Sequence, residues 1–285
     1  METFVSEDPK EIEEEKKRQA AYRKYLPDIM GNDEDETEYI LLPQKKNAEA
    51  NTAEKPQDKK AGYIKSLVNK AKVLAKEASF AIDDPVTAWK IGPGVIHNST
   101  NISTKATRFA TKGPILHGAG PNEKDPGTEN GAFRHTLWQA EIASRFGELA
   151  AKRAGNAHEV EPNINLNNRR FNYIENADQT TDLLNNQIGQ RIGVLNPDRS
   201  TKDLAFMVLD EFRNNGLYIT EQDEQGFFNV KKIKLSSEKY DSLRNIYNTL
   251  NKDGFTQKEL FDIEEKINKD GRTFKGIDTP WRTIR

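Results

Sequence analysis

From about residue 62 onward, apolar residues return every three or four positions, separated by short polar or glycine-bearing breaks. That period predicts helices. Ile64, Leu67, Val68, Ala71, Leu74, Ala75 and Ala78 share one face, which predicts an amphipathic helix over 62–80 with a lysine-rich outer side, packed on the domain that follows it. Asp84 before Pro85 reads as a cap with proline in the first turn of a short helix at 84–89, and another short helix fits 100–111. His135, Trp138, Ile142, Phe146 and Leu149 form one stripe of a longer helical stretch. Asn176 and Gln179 give a capping-box pattern for the next helix, whose aliphatic face is Leu184, Ile188, Ile192 and Leu195. Its other face carries Asp182, Asn185, Asn186, Gly189 and Gly193, and glycine there permits close approach of a backbone or a ligand. Ser200 or Thr201 caps a further helix that stops at Gly216. Residues 217–235 place a polar turn between two short apolar runs, the pattern of a β-hairpin. Two amphipathic helices over 236–250 and 256–270, then an irregular tail over 274–285, complete the order. The predicted fold class is mainly α: a compact helical domain, 82–285, with at most one short β-hairpin, preceded by a flexible, charged N-terminal region, 1–81.

Composition sharpens this picture in three places. The 285 residues are 31% charged and 35% hydrophobic, and the charge is densest in the first sixty, where Tyr39, Ile40, Leu41 and Leu42 make the one apolar patch. Such a segment cannot bury enough apolar surface to order itself, so it is expected to be partly disordered, partly helical, and to serve docking or delivery. The net charge of −2 argues against stable nucleic-acid binding, which needs a local excess of Lys and Arg. The absence of cysteine excludes disulfides, thiolate metal sites and cysteine nucleophiles. No apolar run reaches the eighteen or so residues of a membrane span. The stretch METFVSEDPKEIEEEKKRQ lacks the apolar centre of a Sec signal peptide, so export by another route is expected.

Chemistry concentrates between Gly131 and Arg191. His135 lies on the apolar stripe and is expected to point inward, and His158-Glu159 closes the same stretch. In one straight helix the two histidines would lie roughly 35 Å apart and could share nothing. A reversal near Gly147 or through Gly155-Asn156 is therefore expected. Given that bend, His135, His158, Glu159 and Asp182 converge, with Arg134, Asn185, Asn186 and Arg191 beside them. His135, His158 and Asp182 could hold a divalent metal that generates hydroxide, an order similar to that of helical metal-dependent phosphohydrolases. Without metal, a desolvated Glu159 would have a raised pKa and act as general acid, with a histidine or Asp182 as base. A buried polar network that merely locks the helices is the third reading. His97, His117, Arg169 and Arg170 are secondary candidates.

The ordered motifs Arg134-His135-x-x-Trp138, Ala157-His158-Glu159 and Asp182-x-x-Asn185-Asn186-x-x-Gly189 resemble an uncharacterised bacterial domain family. That family occurs at the C-termini of polymorphic toxins and in stand-alone effectors, and the likeness covers 130 to about 220. It implies a setting rather than a reaction. The setting is a toxin carried by a specialised secretion machine such as type VI and delivered into target bacterial cells, the periplasm favoured over the cytoplasm. A cognate immunity protein is implied, and a carrier or chaperone would meet the N-terminal region. The activity expected first is hydrolysis of a cell-envelope component, peptidoglycan or lipid. A metal-dependent phosphodiesterase or nuclease is the alternative, and a non-enzymatic membrane-perturbing toxin or adaptor the next.

Overall fold

The computed structural model describes residues 72–269, apart from 74, 78, 82, 93–98, 114, 120–125 and 160–163. Contacts separate 1–69 from 70–285, and everything below concerns the second unit. The expectations placed on residues 1–71, on His97 and on the tail 274–285 lie outside the described residues. Helical residues between 72 and 83 continue the amphipathic run expected there. Then come α1 (Pro85–Ile91), α2 (Ile102–Ala110), α3 (Glu129–His158), β1 (Arg170–Phe171), α4 (Ile174–Leu195), α5 (Thr201–Asn214), β2 (Leu217–Gln222), β3 (Phe228–Ile233), α6 (Ser237–Asn248) and α7 (Gln257–Lys269). The described chain is mainly helical, as the periodicity predicts. No helix among the described residues is long and apolar enough to cross a membrane.

Side-chain caps start most helices where the sequence put them. Asp84, Asn101, Thr128, Ser200 and Ser236 each accept a backbone N–H from the first turn of the helix that follows. α4 departs from expectation. It begins at Ile174, two residues before Asn176, so Asn176 and Gln179 sit inside the helix and form no capping box. The hairpin is present as β2–β3, but it gains a third strand, because β1 pairs antiparallel with β3 in the order β1-β3-β2.

The longest helix carries the decisive break. Gly147 has φ 84° and ψ 172° in the middle of α3, a conformation closed to other residues at low cost. A Cβ on Gly147 would meet nothing within 4 Å, so glycine is needed there for its backbone freedom and not for space. The break resets the helical phase. His135 and Ile142 are buried as the stripe predicts, whereas Leu149, beyond the break, is 71% exposed. Leu195 likewise leaves the aliphatic face of α4 and lies 73% exposed at the helix end, while Leu184, Ile188 and Ile192 are buried.

The core gathers around Phe133, Leu137, Phe109, Leu204, Leu209, Phe212 and Tyr247, so α2, α3, α5 and α6 share it. α4 lies unusually close to α3. A Cβ at Gly189 would overlap the carbonyl oxygen of Thr136, and one at Gly193 that of Ala140. The two glycines thus let the helix backbones meet, and the approach they permit is that of backbone, not ligand. Asn185 then ties α4 to the sheet: its Nδ2 donates to the Tyr218 carbonyl at 2.9 Å and its Oδ1 accepts the Tyr218 N–H at 3.0 Å.

Candidate functional site

The break at Gly147 folds α3 back on itself and brings its two histidines together. The ring centroids of His135 and His158 are 5.8 Å apart, and Trp138 lies 6.3 Å from the first and 5.5 Å from the second. Asp182 reaches in from α4, with Oδ2 at 3.3 Å from His135 Nε2. Glu159, the residue that ends α3, is buried beside them. One donor atom from each of His135, Glu159 and Asp182 falls within 4.8 Å of the others.

His158 stands differently. It is 44% exposed and its Nδ1 faces Glu77 Oε1 at 3.1 Å, so it forms the rim of the cluster rather than its floor. For a metal, the geometry therefore gathers His135, Glu159 and Asp182, with Glu159 in the position expected of His158. Arg134 is half-buried and its charge is felt by both His135 and Glu159. Asn186 belongs to the cluster, whereas its neighbour Asn185 spends both polar atoms on β2. Arg191 pairs with Glu211 on the surface and lies outside it. Arg169 bonds the Leu166 carbonyl, Arg170 pairs with Asp223 beside the sheet, and His117 is exposed with its backbone tied to Glu129 and Asn130.

The floor of the cluster holds polar atoms with nothing to bond. His135 Nδ1, Glu159 Oε1, Trp138 Nε1, Gln139 Nε2 and both amide atoms of Asn186 are buried without a hydrogen-bond partner. Buried polar groups are ordinarily satisfied, because leaving one unpaired costs about 1–3 kcal/mol. Gly155 makes room for two of them: a Cβ there would stand 2.7 Å from Gln139 Nε2 and 3.3 Å from Asn186 Nδ2. Gln139 is held in place by Gln190, which donates to its Oε1 at 3.0 Å. Gln139 was not a candidate from sequence, although it stands one turn beyond His135. Lys76, whose Nζ donates to the Glu159 carbonyl at 3.0 Å, could not have been found, since the contact joins residues far apart in the chain.

The surroundings set two protonation states in opposite directions. Burial pushes the Glu159 carboxyl up to about 7, helped by Asp178 and opposed by His158, Arg134 and Lys76. Burial pulls His135 well below the usual imidazole value, reinforced by the charges of Arg134 and His158. Asn186 opposes that pull, lying close enough to favour the imidazolium yet without the geometry of a hydrogen bond. At neutral pH His135 is therefore an uncharged imidazole, and Glu159 exchanges its proton near the ambient value. With the Nε2 proton directed at Asp182, Nδ1 is left as a bare lone pair.

These shifts carry a stability signature. The fold keeps the Glu159 proton that an unfolded chain loses near pH 4.5, so this group's contribution falls as pH rises from about 4.5 to about 7. The fold also refuses the His135 proton that an unfolded chain accepts below about 6.5, so that contribution falls as pH drops. Between those two free values the pair holds one proton in either state, and stability is flat. In chelator-treated protein, Glu159→Gln is expected to raise Tm relative to wild type by an amount that grows from pH 5 to pH 8. The ceiling is about 3 kcal/mol, the free energy of moving this carboxyl from 4.5 up to about 7. Thermal melts at both pH values check this, and an equal difference at each would show that Glu159 ionises normally.

Residues 95–216 match the sequence model of a family described as Domain of unknown function (DUF6973). The match spans less than half of the chain, contains every candidate residue named from the sequence, and stops just before β2. No curated protein and no solved structure was found to match the chain.

Proposed function

We propose that this chain is a hydrolase working by acid–base chemistry at His135 and Glu159, deployed as a toxin against the envelope of competing bacteria. The observation that carries the hydrolase reading is the pair of orphaned atoms, His135 Nδ1 and Glu159 Oε1, on one buried floor. A neutral histidine oriented by Asp182 can take a proton from water. A carboxyl that titrates near 7 can give one to a leaving group, because a catalytic acid serves best when its pKa is close to the working pH. The unbonded amide N–H groups of Asn186 and Gln139 and the Trp138 indole N–H supply donors for a developing oxyanion. Arg134, His158 and Asp182, the more exposed members, form the side from which substrate arrives.

The toxin setting rests on the likeness of the three motifs, and with it come delivery by a specialised secretion machine, a cognate immunity protein and a carrier at the N-terminal region. Expression in a sensitive bacterium, directed to either compartment, tests it. Rounding or lysis on periplasmic targeting alone is the expected result. Nucleoid loss on cytoplasmic expression would favour a nuclease, and harmless expression of folded protein in both compartments would end the toxin reading.

A second reading has its own observation. Two carboxylates and a histidine with donor atoms within 4.8 Å match the three protein ligands of a catalytic zinc or manganese site, which leaves a position for water. In that case the metal lowers the pKa of its water, and Glu159 is a ligand rather than an acid. Elemental analysis of purified protein, with activity measured before and after chelation, separates the two. Activity that survives complete removal of metal supports the acid–base mechanism.

A further inference from the structure

A second polar centre lies on the other side of α3, outside everything assigned above. Glu141 is completely buried, and Lys105 of α2 is 2% exposed. They form a direct ion pair, and the same carboxylate accepts from Arg145 at 2.8 Å and from the Thr201 hydroxyl at 2.9 Å. Burying such a pair costs several kcal/mol of desolvation per ion, which the attraction repays only in part, so it is a poor device for stability alone. Its effect here is positional. Glu141 fixes Lys105 and Arg145 at the wall of two adjoining cavities, of about 300 and 160 Å³, which share Arg145, Lys252 and Asp253.

The walls carry a surplus of positive charge. Lys90, Lys105, Arg145, Arg199 and Lys252 face Asp198 and Asp253, and with Glu141 behind Lys105 and Arg145 the balance is five cations against three carboxylates, in a chain whose net charge is −2. Lys105, Arg145 and Lys90 are engaged, with Glu141 or over the Phe146 ring. Arg199 and Lys252 are not: among the described residues neither side chain has a hydrogen bond or an ion pair. Arg199 is nonetheless held in position, because the loop that carries it is bolted to α3. The Asp198 N–H donates to the Ser144 carbonyl, the Arg199 N–H to the Ser144 hydroxyl, and that hydroxyl to the Asn196 carbonyl. Thr201, at the start of the fourteen-residue α5, lines the larger cavity and adds the positive end of that helix. Trp89 lines the smaller one.

We infer that this double cavity binds a small phosphate-bearing anion, with Arg199 and Lys252 as its free counter-charges and Arg145 as the fixed wall between the two lobes. Arg presents a planar fork to phosphate oxygens, and Lys a point charge. Room beside the cations and an indole on one wall suit a phosphoryl group attached to something flat or to a second phosphoryl group. The site is small, so it does not conflict with the absence of a broad basic surface for nucleic acid. It lies roughly 9–15 Å along α3 from His135, far enough for the two sites to be tested apart.

The test uses the purified full chain, titrated with inorganic phosphate, pyrophosphate and ADP against sodium chloride at matched ionic strength. Tm and tryptophan emission are followed together. A saturable rise in Tm with an emission change is expected for the phosphoryl compounds and not for chloride. Arg199→Ala and Lys252→Ala each weaken apparent affinity about tenfold, the effect of one lost charge-assisted contact. Both residues are exposed, so neither variant is expected to unfold. Trp89→Phe removes the emission change and leaves the Tm rise. ADP binding more tightly than pyrophosphate places the base on Trp89, and equal binding identifies the phosphoryl groups alone as ligand. A chloride response equal to that of phosphate, or wild-type affinity in both Ala variants, overturns the proposal.

Discussion

His135→Ala is expected to reduce turnover about 10²–10⁴-fold, the range for loss of a positioned acid–base group. Toxicity on expression should disappear with it. The difficulty is that His135 is buried, so truncation alone would also cost stability. The adjacent asparagines of α4 supply the control. Asn185 makes two hydrogen bonds to the Tyr218 backbone, and Asn185→Ala leaves that N–H and carbonyl without partners. It should cost about 2–3 kcal/mol and lower toxicity only as far as it lowers the amount of folded protein. Asn186 makes no hydrogen bond, although both its amide atoms are buried. Asn186→Ala removes two unsatisfied groups, so Tm should hold or rise while activity falls. Neighbours in one motif thus separate a structural network from a working site. If Asn186→Ala destabilised the protein as much as Asn185→Ala, with activity tracking fold in both, the acid–base mechanism would be wrong. Melting curves and toxicity assays on the three variants decide it.

Gly189→Ala is expected to be among the most damaging single methyls in the domain. The added Cβ would overlap the Thr136 carbonyl oxygen, which belongs to the backbone of α3 and cannot rotate away. Relief requires the helices to separate, and that disturbs Asn186 and Asp182, one and two turns back. Overpacking of this kind costs about 1–3 kcal/mol and sometimes more, or roughly 2–4 °C of Tm per kcal/mol in a domain of this size. Gly193→Ala meets the Ala140 carbonyl in the same way and should behave alike. Gly147→Ala offers a contrast, since its cost arises from φ 84° with no steric neighbour. It should destabilise by about 1–3 kcal/mol, because φ 84° with ψ 172° lies in a region that glycine alone occupies freely. An unchanged Tm for Gly189→Ala would show that α3 and α4 do not approach as closely as described.

What the chain disclosed in advance follows from how local each signal is. Periodicity located the helices, caps such as Ser200 marked their starts, and the distance argument on His135 and His158 located the break at Gly147. All of these need only neighbouring residues. The glycine-bearing face of α4 also announced a close approach, though the sequence could not say whether backbone or ligand made it. Non-local features stayed hidden. β1 has two residues and no pattern, and it exists because β3 offers an edge. The Glu141–Lys105 pair joins two helices from positions 36 residues apart, and no local pattern marks it. Leu149 fell off its stripe because the break shifts the helical phase, an effect that a periodic count continued across Gly147 misses.

The reversal within α3 also bears on the order in which the molecule assembles. Asp182 and Asn186 join the cluster from 47 and 51 positions beyond His135, but the two arms of α3 themselves meet across a single residue, so their mutual contacts are near in sequence. Such contacts close at little entropic cost and form early. The sheet has the same two kinds of contact, since β2 and β3 are a local hairpin in which Gln222 pairs with Phe228, whereas Arg170 must find Asn229 across the whole of α4, α5 and β2. The two arms of α3 and the β2–β3 hairpin are therefore expected to gain protection from hydrogen exchange before β1 joins the sheet.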